Sequence, residues 1–465
     1  MTRRSLVPAL RWIAAAALPV LLLALYLTYS RGGVAILVVA CGTLAILSHD
    51  RLWMLGTLAA GALGALPAVL AVQENRYLAD NIDAPQAVDQ GLTVLLVLVA
   101  GIALTVVLFA AIRRLAESRG ELASRAVALS RDSRVLKWIA VAMALLAIGA
   151  ALAVGGRAWD QFTTSDLTTA TPEGRFNDLS GGGRGEFWRV AIDAFAEDPV
   201  GGHGAGTYKF SWDELRDIPK PVTEAHSLYL ESFAELGLIG GLLVLGMVGA
   251  MIWFGFSAWR AARGSQRELY AALLAAVVGF AVGAAYDWLW EVASVGFIFF
   301  LAGGTLIAAR CAQLVAARAS TNGQGDRRRF GLAVAGLALA WVTALALVGP
   351  LLVDRELDAS RAAAADGNFA QAVSKAETAR SIEPFAASPY LQLGLLAQAQ
   401  GDFVTARERL QQAIDREDRN WILYYVLARM EDEAGDAEAA TAALEEARRL
   451  NPEEACLDEG FEGCG

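Results

Sequence analysis

The chain is poor in the groups that carry much of soluble enzyme chemistry. Its 465 residues include three histidines and four cysteines, and only 19% are charged. No Cys-x-x-Cys pair occurs, and no His, Cys and carboxylate cluster has metal-ligand spacing, so neither a metal nor another cofactor is expected. A net charge of −10 without a basic recognition motif points away from nucleic acid. "GGHGAG", Gly201 to Gly206, matches neither Gly-rich phosphate motif and follows no buried strand, so nucleotide binding is not expected there. It reads as a tight turn after Pro199 that folds the chain back, with His203 as a loop residue.

Apolar residues are abundant instead, at 55% of the chain, and they are gathered into blocks too long for a soluble core. A bilayer core takes about 20 mostly apolar residues per helix. Nine stretches approach that length, near 9–29, 32–48, 52–72, 90–112, 138–156, 232–256, 268–288, 292–312 and 330–352. The first has a basic flank, Arg3, Arg4 and Arg11, but no small-x-small cleavage site follows "ALYLTYS", so it reads as a retained helix. With the N-terminus in the cytoplasm, 19 Lys and Arg fall on inner segments and nine on the membrane-side outer loops. Seven of those nine lie between Arg157 and Lys220, where 11 acids outnumber them. Nine spans then place the C-terminus outside the cell.

The sequence after the last span is polar, Ala-rich and periodic. "DGNFAQAVSKAETARSIEP", "GDFVTARERLQQAIDRED" and "GDAEAATAALEEARRLNP" align at a period of 34 through Gly367, Gly401 and Gly435, through Ala372, Ala406 and Ala440, and through Ala379, Ala413 and Ala447. Tyr390 and Tyr424 share the spacing; Pro384 and Pro452 keep the register, and Asp418 breaks it. This resembles the tetratricopeptide repeat, in which small residues sit where paired helices approach closely. The expected units are 353–386, 387–420 and 421–454, with the first helix continuing almost directly from the ninth span and the module held near the outer membrane surface. Three repeats are about the minimum for stability, so a protein partner at the repeats, or packing against the membrane domain, is expected. Residues 455–465 form an acidic tail in which Cys456 and Cys464 could close a short loop in an oxidising compartment. Cys41 and Cys311 fall inside apolar spans and read as small buried residues.

Chemistry is expected in the long outer loop, 157–226, which is too rich in aromatics to be a plain linker. From Gly185 to Glu197, Phe187, Trp188, Ala191, Ala194 and Phe195 share one helical face, giving a short helix that could lie along the membrane. Gly181 to Gly183 precede it, which puts Arg184 at a helix start that favours an anion, with Arg189 farther along. "VTEAHSLYLESFAELGLIGGLL" puts His226 at the head of the sixth span. By itself such a histidine reads as a cap or interface residue as readily as a reactive one, and Arg31 as a solvated flanking charge or a site residue. Glu231 and Glu235 lie four apart on that helix, and a carboxylate near membrane depth needs a partner or a wet cavity. Asp287 and Glu291 are likewise four apart near the outer edge, in "DWLWE".

Three separated motifs, in order, carry a more specific likeness: "TYSRGG", "GRGEFWRVAIDAFAEDPVGGHGAGTY" and "EAHSLYLESFAELGLIGG". Over roughly residues 25–315 the chain resembles the O-antigen ligase and polymerase superfamily. The resemblance implies transfer of a glycan from an undecaprenyl-diphosphate carrier to a glycan or lipid acceptor, at the outer face of the bacterial plasma membrane. By position it makes His226 the catalytic histidine and Arg31 and Arg184 the cations that hold the donor diphosphate, with Arg189 beside them; Glu231, Glu235, Asp287 and Glu291 are supporting candidates. "DWLWE" resembles an outer-edge segment of some members. The family has more helices before its Ser-Arg-Gly motif than the one here, so the chain reads as a shortened member or one that begins at a late start site. Ser227 stands where an Asn often follows the histidine, and no Pro follows "DW" within Val292 to Val295.

The residue types suit that chemistry independently. A donor already activated as a lipid diphosphate needs cations for its leaving group, and guanidinium pairs diphosphate oxygens bidentately while staying charged. Neutral imidazole can take a proton from an attacking sugar hydroxyl. A metal-independent reaction is therefore expected. The expected fold is all-α, a polytopic domain over 1–352 followed by an α-solenoid over 353–454. The expected function is glycosyl transfer as ligase or polymerase, the alternative a silent membrane scaffold recruiting polysaccharide machinery through its repeats. A permease fits less well, because the spans carry few charges and no evident inverted repeat.

Overall fold

A computed structural model describes residues 8–48, 51–75, 85–118, 181–319 and 327–460. Every regular element among them is helical. Seven described helices are long and apolar enough to cross a membrane, which makes this a multi-pass membrane protein. An eighth apolar helix, Arg31–Leu47, is shorter, and the expected span 138–156 lies outside the described residues. The chain divides into two compact units, one formed by 1–202 with 224–320 and the other by 203–223 with 321–465.

The first unit contains α1 (Pro8–Leu27), α2 (Arg31–Leu47), α3 (Arg51–Glu74), α4 (Pro85–Ser118) and α5 (Arg184–Glu197). After the excursion into the second unit, which carries α6 (Tyr208–Leu215), it resumes with α7 (Leu228–Ala261), α8 (Gly264–Gly283) and α9 (Ala293–Ala319). Small residues set its closest approaches. A Cβ on Gly64 would lie 2.0 Å from Thr105 Oγ1, and one on Gly101 would lie 2.0 Å from the Gly64 carbonyl oxygen, so α3 and α4 pack nearly backbone to backbone. Around α7 to α9 the core is larger, with Phe280 stacked on Phe299 at 4.1 Å beside Met251, Leu274 and Leu306.

Three sequence expectations change here. The span expected over 268–288 ends at Gly283, and 284–292 form turns and a short 3-10 helix, so Asp287 and Glu291 do not share a helical face. The span expected to run unbroken from 232 is interrupted at Gly237, with φ 63° and ψ −167°. The loop from "DPVGG" fits into that break: Leu238 N–H donates to the Pro199 carbonyl at 2.8 Å, and a Cβ on Gly202 would lie 2.4 Å from Gly237 N. Only glycine allows both the left-handed backbone and this approach. Finally, Cys311 is exposed and Cys41 half-buried, since the outward face of a membrane helix meets lipid and need not be interior to be apolar.

In the second unit, α10 (Arg327–Ala346) is followed after a single residue by α11 (Val348–Ala365), then α12 (Phe369–Ile382), α13 (Ser388–Ala399), α14 (Phe403–Ile414), α15 (Trp421–Glu433) and α16 (Ala437–Leu450). From α11 onward, consecutive helices pack against one another, most closely as the pairs α11 with α12, α13 with α14 and α15 with α16. The period-34 alanines, Ala372, Ala406, Ala440, Ala379, Ala413 and Ala447, are all fully buried. Gly367, Gly401 and Gly435 have φ of 76°, 75° and 82°, ending one helix of each pair. The residues after them, Asn368, Asp402 and Asp436, cap the next helix by accepting from N–H groups at 3.2, 3.1 and 3.1 Å. Cys456 is disulfide-bonded; Cys464 lies outside the described residues.

Candidate active site

Two helix starts and one connecting turn of the first unit build the site. Gly182 and Gly183, with φ of 60° and 91°, turn the chain so that α5 begins at Arg184, as the glycine run predicts. The side chain folds back on this entry. Its Nε donates to the Tyr286 carbonyl at 2.9 Å, one terminal nitrogen donates to the Gly181 carbonyl at 3.1 Å, and the other lies 3.7 Å from Asp287 Oδ1. That last distance is long for an ion pair, so Asp287 offsets the guanidinium charge only partly.

Tyr286 ties this cation to the Ser-Arg-Gly motif. Its hydroxyl donates to the Gly32 carbonyl, and a Cβ on Gly32 would lie 2.6 Å from its ring, so the glycine of the motif is required by the ring upon it. Burial raises the Tyr286 phenol pKa and keeps it a donor. Ser30 caps α2 by accepting from Gly33 N–H at 2.9 Å, which places Arg31 at the first helical position. Arg31 and Arg184 thus belong to segments joined through one tyrosine, which the motif spacing did not reveal.

His226 stands between these segments and α7. Its φ is 53°, a left-handed conformation uncommon for a side-chain-bearing residue and costing on the order of 1–3 kcal/mol. The neighbours hold it there. Ala225 N–H donates to the buried carboxylate of Glu231 at 2.8 Å, Leu228 N–H donates to the Ala284 carbonyl at 2.8 Å, and Ser227 caps α7 by accepting from Leu230 N–H at 3.4 Å. The His226 ring packs on Phe187 of α5, centroids 5.0 Å apart. Its Nδ1 faces the Glu224 carbonyl at 3.1 Å, an acceptor that fixes the proton on Nδ1 and leaves Nε2 with its lone pair. Burial lowers the His226 pKa below the usual 6.5, with the Arg184 charge acting in the same direction and the Glu224 carbonyl and Asp287 opposing.

The other candidates separate. Glu231 holds the backbone beside His226. Glu235 is half-buried one turn on, with its carbonyl against Gly202. Glu291 is exposed on the 3-10 turn. Arg189 is engaged by two carboxylates of its own helix, Glu186 through two contacts and Asp193 at 2.9 Å, whereas Arg184 lies near Asp287. The apolar face of α5 is turned onto α7, where Phe195 meets Phe233 at 5.6 Å. The residue that sequence reasoning missed is Tyr286, immediately before the "DW" pair it did notice. His203 belongs to the second unit, where its Nδ1 lies 2.9 Å from Arg419.

No curated protein matches the chain. Residues 88–245, which include Arg184, His226 and Glu231, are similar to the O-antigen ligase family.

Proposed function

We propose that the protein transfers a glycan from an undecaprenyl-diphosphate donor to a sugar or lipid acceptor at the outer face of the bacterial plasma membrane. The observation that carries this reading is the pairing of Arg184 with Asp287 beside a backbone-locked His226, with Arg184 and His226 inside the stretch similar to O-antigen ligases. His226 Nε2 takes the proton of the attacking hydroxyl while that oxygen bonds to the anomeric carbon. The bond from that carbon to the diphosphate breaks, and the departing charge is stabilised by Arg184 and Arg31. Guanidinium groups, not a metal, carry that charge in this proposal. Asp287 orients Arg184, Tyr286 fixes it against α2, and Glu231 holds the His226 backbone. The C-terminal helical pairs are a tetratricopeptide-like module on the same outer side. Whether one glycan or many are added, ligase or polymerase, is read from product length.

Purified protein with an undecaprenyl-diphosphate-linked glycan is expected to form product, and His226→Ala to lower the rate by on the order of 10²–10⁴. Arg184→Ala is expected to be similarly impaired at unchanged thermal stability. No transfer by the parent, or full activity in both variants, overturns the assignment and leaves the scaffold reading. A pH profile is the finer check. His226 works as the neutral base and burial lowers its pKa, so the acid limb is expected below 6.5; a limb above that value speaks against His226 as the base.

A further inference from the structure

The loop segment 203–223 is packed with the C-terminal helices, and the contacts are specific. Glu214 on α6 accepts from Arg419 through two nitrogens at 3.2 and 2.8 Å, and from Arg449 of α16 at 2.9 Å. Arg216 is buried and donates to Asn451 Oδ1 at 2.9 Å, with Glu454 at 3.5 Å. Asp213 accepts a hydrogen bond from Trp421 at the start of α15. Within the segment, buried Trp212 donates from Nε1 to the Lys220 carbonyl at 2.8 Å, closing the loop on itself. The entry to α15, at 419–421, and the end of α16 with the residues after it, 449–454, therefore meet one short stretch of the chain's own outer loop. Chain connectivity gives this a consequence. The segment leaves the first unit at Gly202, whose backbone fills the Gly237 break, and rejoins it at Glu224, whose carbonyl holds His226.

We propose that the C-terminal module takes the loop 203–223 as its own ligand and thereby positions His226. Glu214 and Arg216 are positioning residues: they fix a loop whose two exits carry the Gly202–Gly237 contact and the Glu224–His226 hydrogen bond. The role of the repeats is then internal, presenting the base in its left-handed conformation, with no outside protein required for it.

The test uses the full-length protein in detergent, with the parent, Glu214→Arg and the milder Glu214→Gln, which keeps one acceptor oxygen. Hydrogen exchange over 203–223 is expected to be protected in the parent and on the order of tenfold faster in Glu214→Arg, with Glu214→Gln between and α11 to α14 unchanged. Equal exchange in the parent and Glu214→Arg overturns the clamp. The kinetic arm rests on the transfer reading. There, kcat is expected to fall on the order of tenfold in Glu214→Arg, with KM for the donor held, because misplacing a base costs rate before it costs binding. Loop release with kcat unchanged overturns positioning and leaves a purely structural clamp. An inactive parent defeats the proposed function but leaves the exchange arm to decide whether the module holds the loop.

Discussion

The membrane helices of the first unit and the helices α12 to α16 of the second are built from the same element and keep their apolar residues on opposite sides. In the first unit Leu243, Ile239, Phe297 and Trp253 point outward, while Ala60, Gly61, Gly64, Ala65 and Ala68 line the α3 interface. In the second, Leu410, Leu423, Met430 and Leu450 are fully buried and most charged side chains of α12 to α16 lie outside, with Glu431 an exception. Lipid is as apolar as leucine, so the membrane unit gains little by hiding leucine and associates through close contact of small residues. The repeats face water, and burying leucine drives them together. Alanine and glycine occupy the closest approaches in both, for the steric reason alone. Similar interfaces should therefore fail differently when mutated.

The largest effect is expected where that steric reason has no slack. In Gly101→Val, a Cβ would sit 2.0 Å from the Gly64 carbonyl oxygen, and neither backbone can yield without parting α3 from α4. Loss of a monodisperse peak in size-exclusion chromatography is expected; a parent-like peak and melting temperature would show that the membrane unit tolerates helix separation, against the comparison.

Much of this contrast is legible in the sequence, and what is not has a common cause. The period-34 residues forecast the buried alanines and turning glycines because each repeat solves the same local problem, helix end, tight turn, close pair. The cap signal lies in the same strings, an Asn or Asp after each glycine. His226, Arg31, Arg184 and Asp287 were named from motif positions, and three of them carry the constellation described. Tyr286, the αL state of His226 and the attachment of 203–223 to the repeats were not legible, since each depends on segments far apart in sequence. The engagement of Arg189 by carboxylates at i−3 and i+4 is by contrast local, and its spacing is readable along α5.

A matched pair of leucine truncations sharpens the comparison at intermediate size. Leu410→Ala removes a fully buried side chain from the helical pairs and is expected to cost about 2–5 kcal/mol, the lost transfer energy plus a cavity. Leu243→Ala removes one that is 70% exposed on a membrane helix and is expected to cost under about 0.5 kcal/mol in detergent. Chemical denaturation of the two variants checks the pair, and equal losses would mean that the outward leucines of α7 are packed by something the comparison leaves out.

The smallest effect tests electrostatics on the water-facing side. Asp213 has its pKa raised to about 6, chiefly by burial and also by Glu454, with Arg216, the Trp421 hydrogen bond and Lys209 opposing. A carboxyl whose folded pKa exceeds its unfolded one makes a contribution that is fully present below the unfolded value, 3.8, and is lost as pH rises through about 6. At neutral pH the second unit therefore holds a carboxylate that burial opposes. Asp213→Asn keeps an acceptor for Trp421 and removes the charge, while weakening the attraction felt by Arg216. The melting temperature at pH 7.5 is expected to rise by about 2 °C over the parent, and the difference to narrow as pH falls through about 6 towards 3.8. A variant less stable than the parent at pH 7.5 would mean that Asp213 is held for its pairing with Arg216, and that the loop is fastened to the repeats by charge more than by the packing of Trp212.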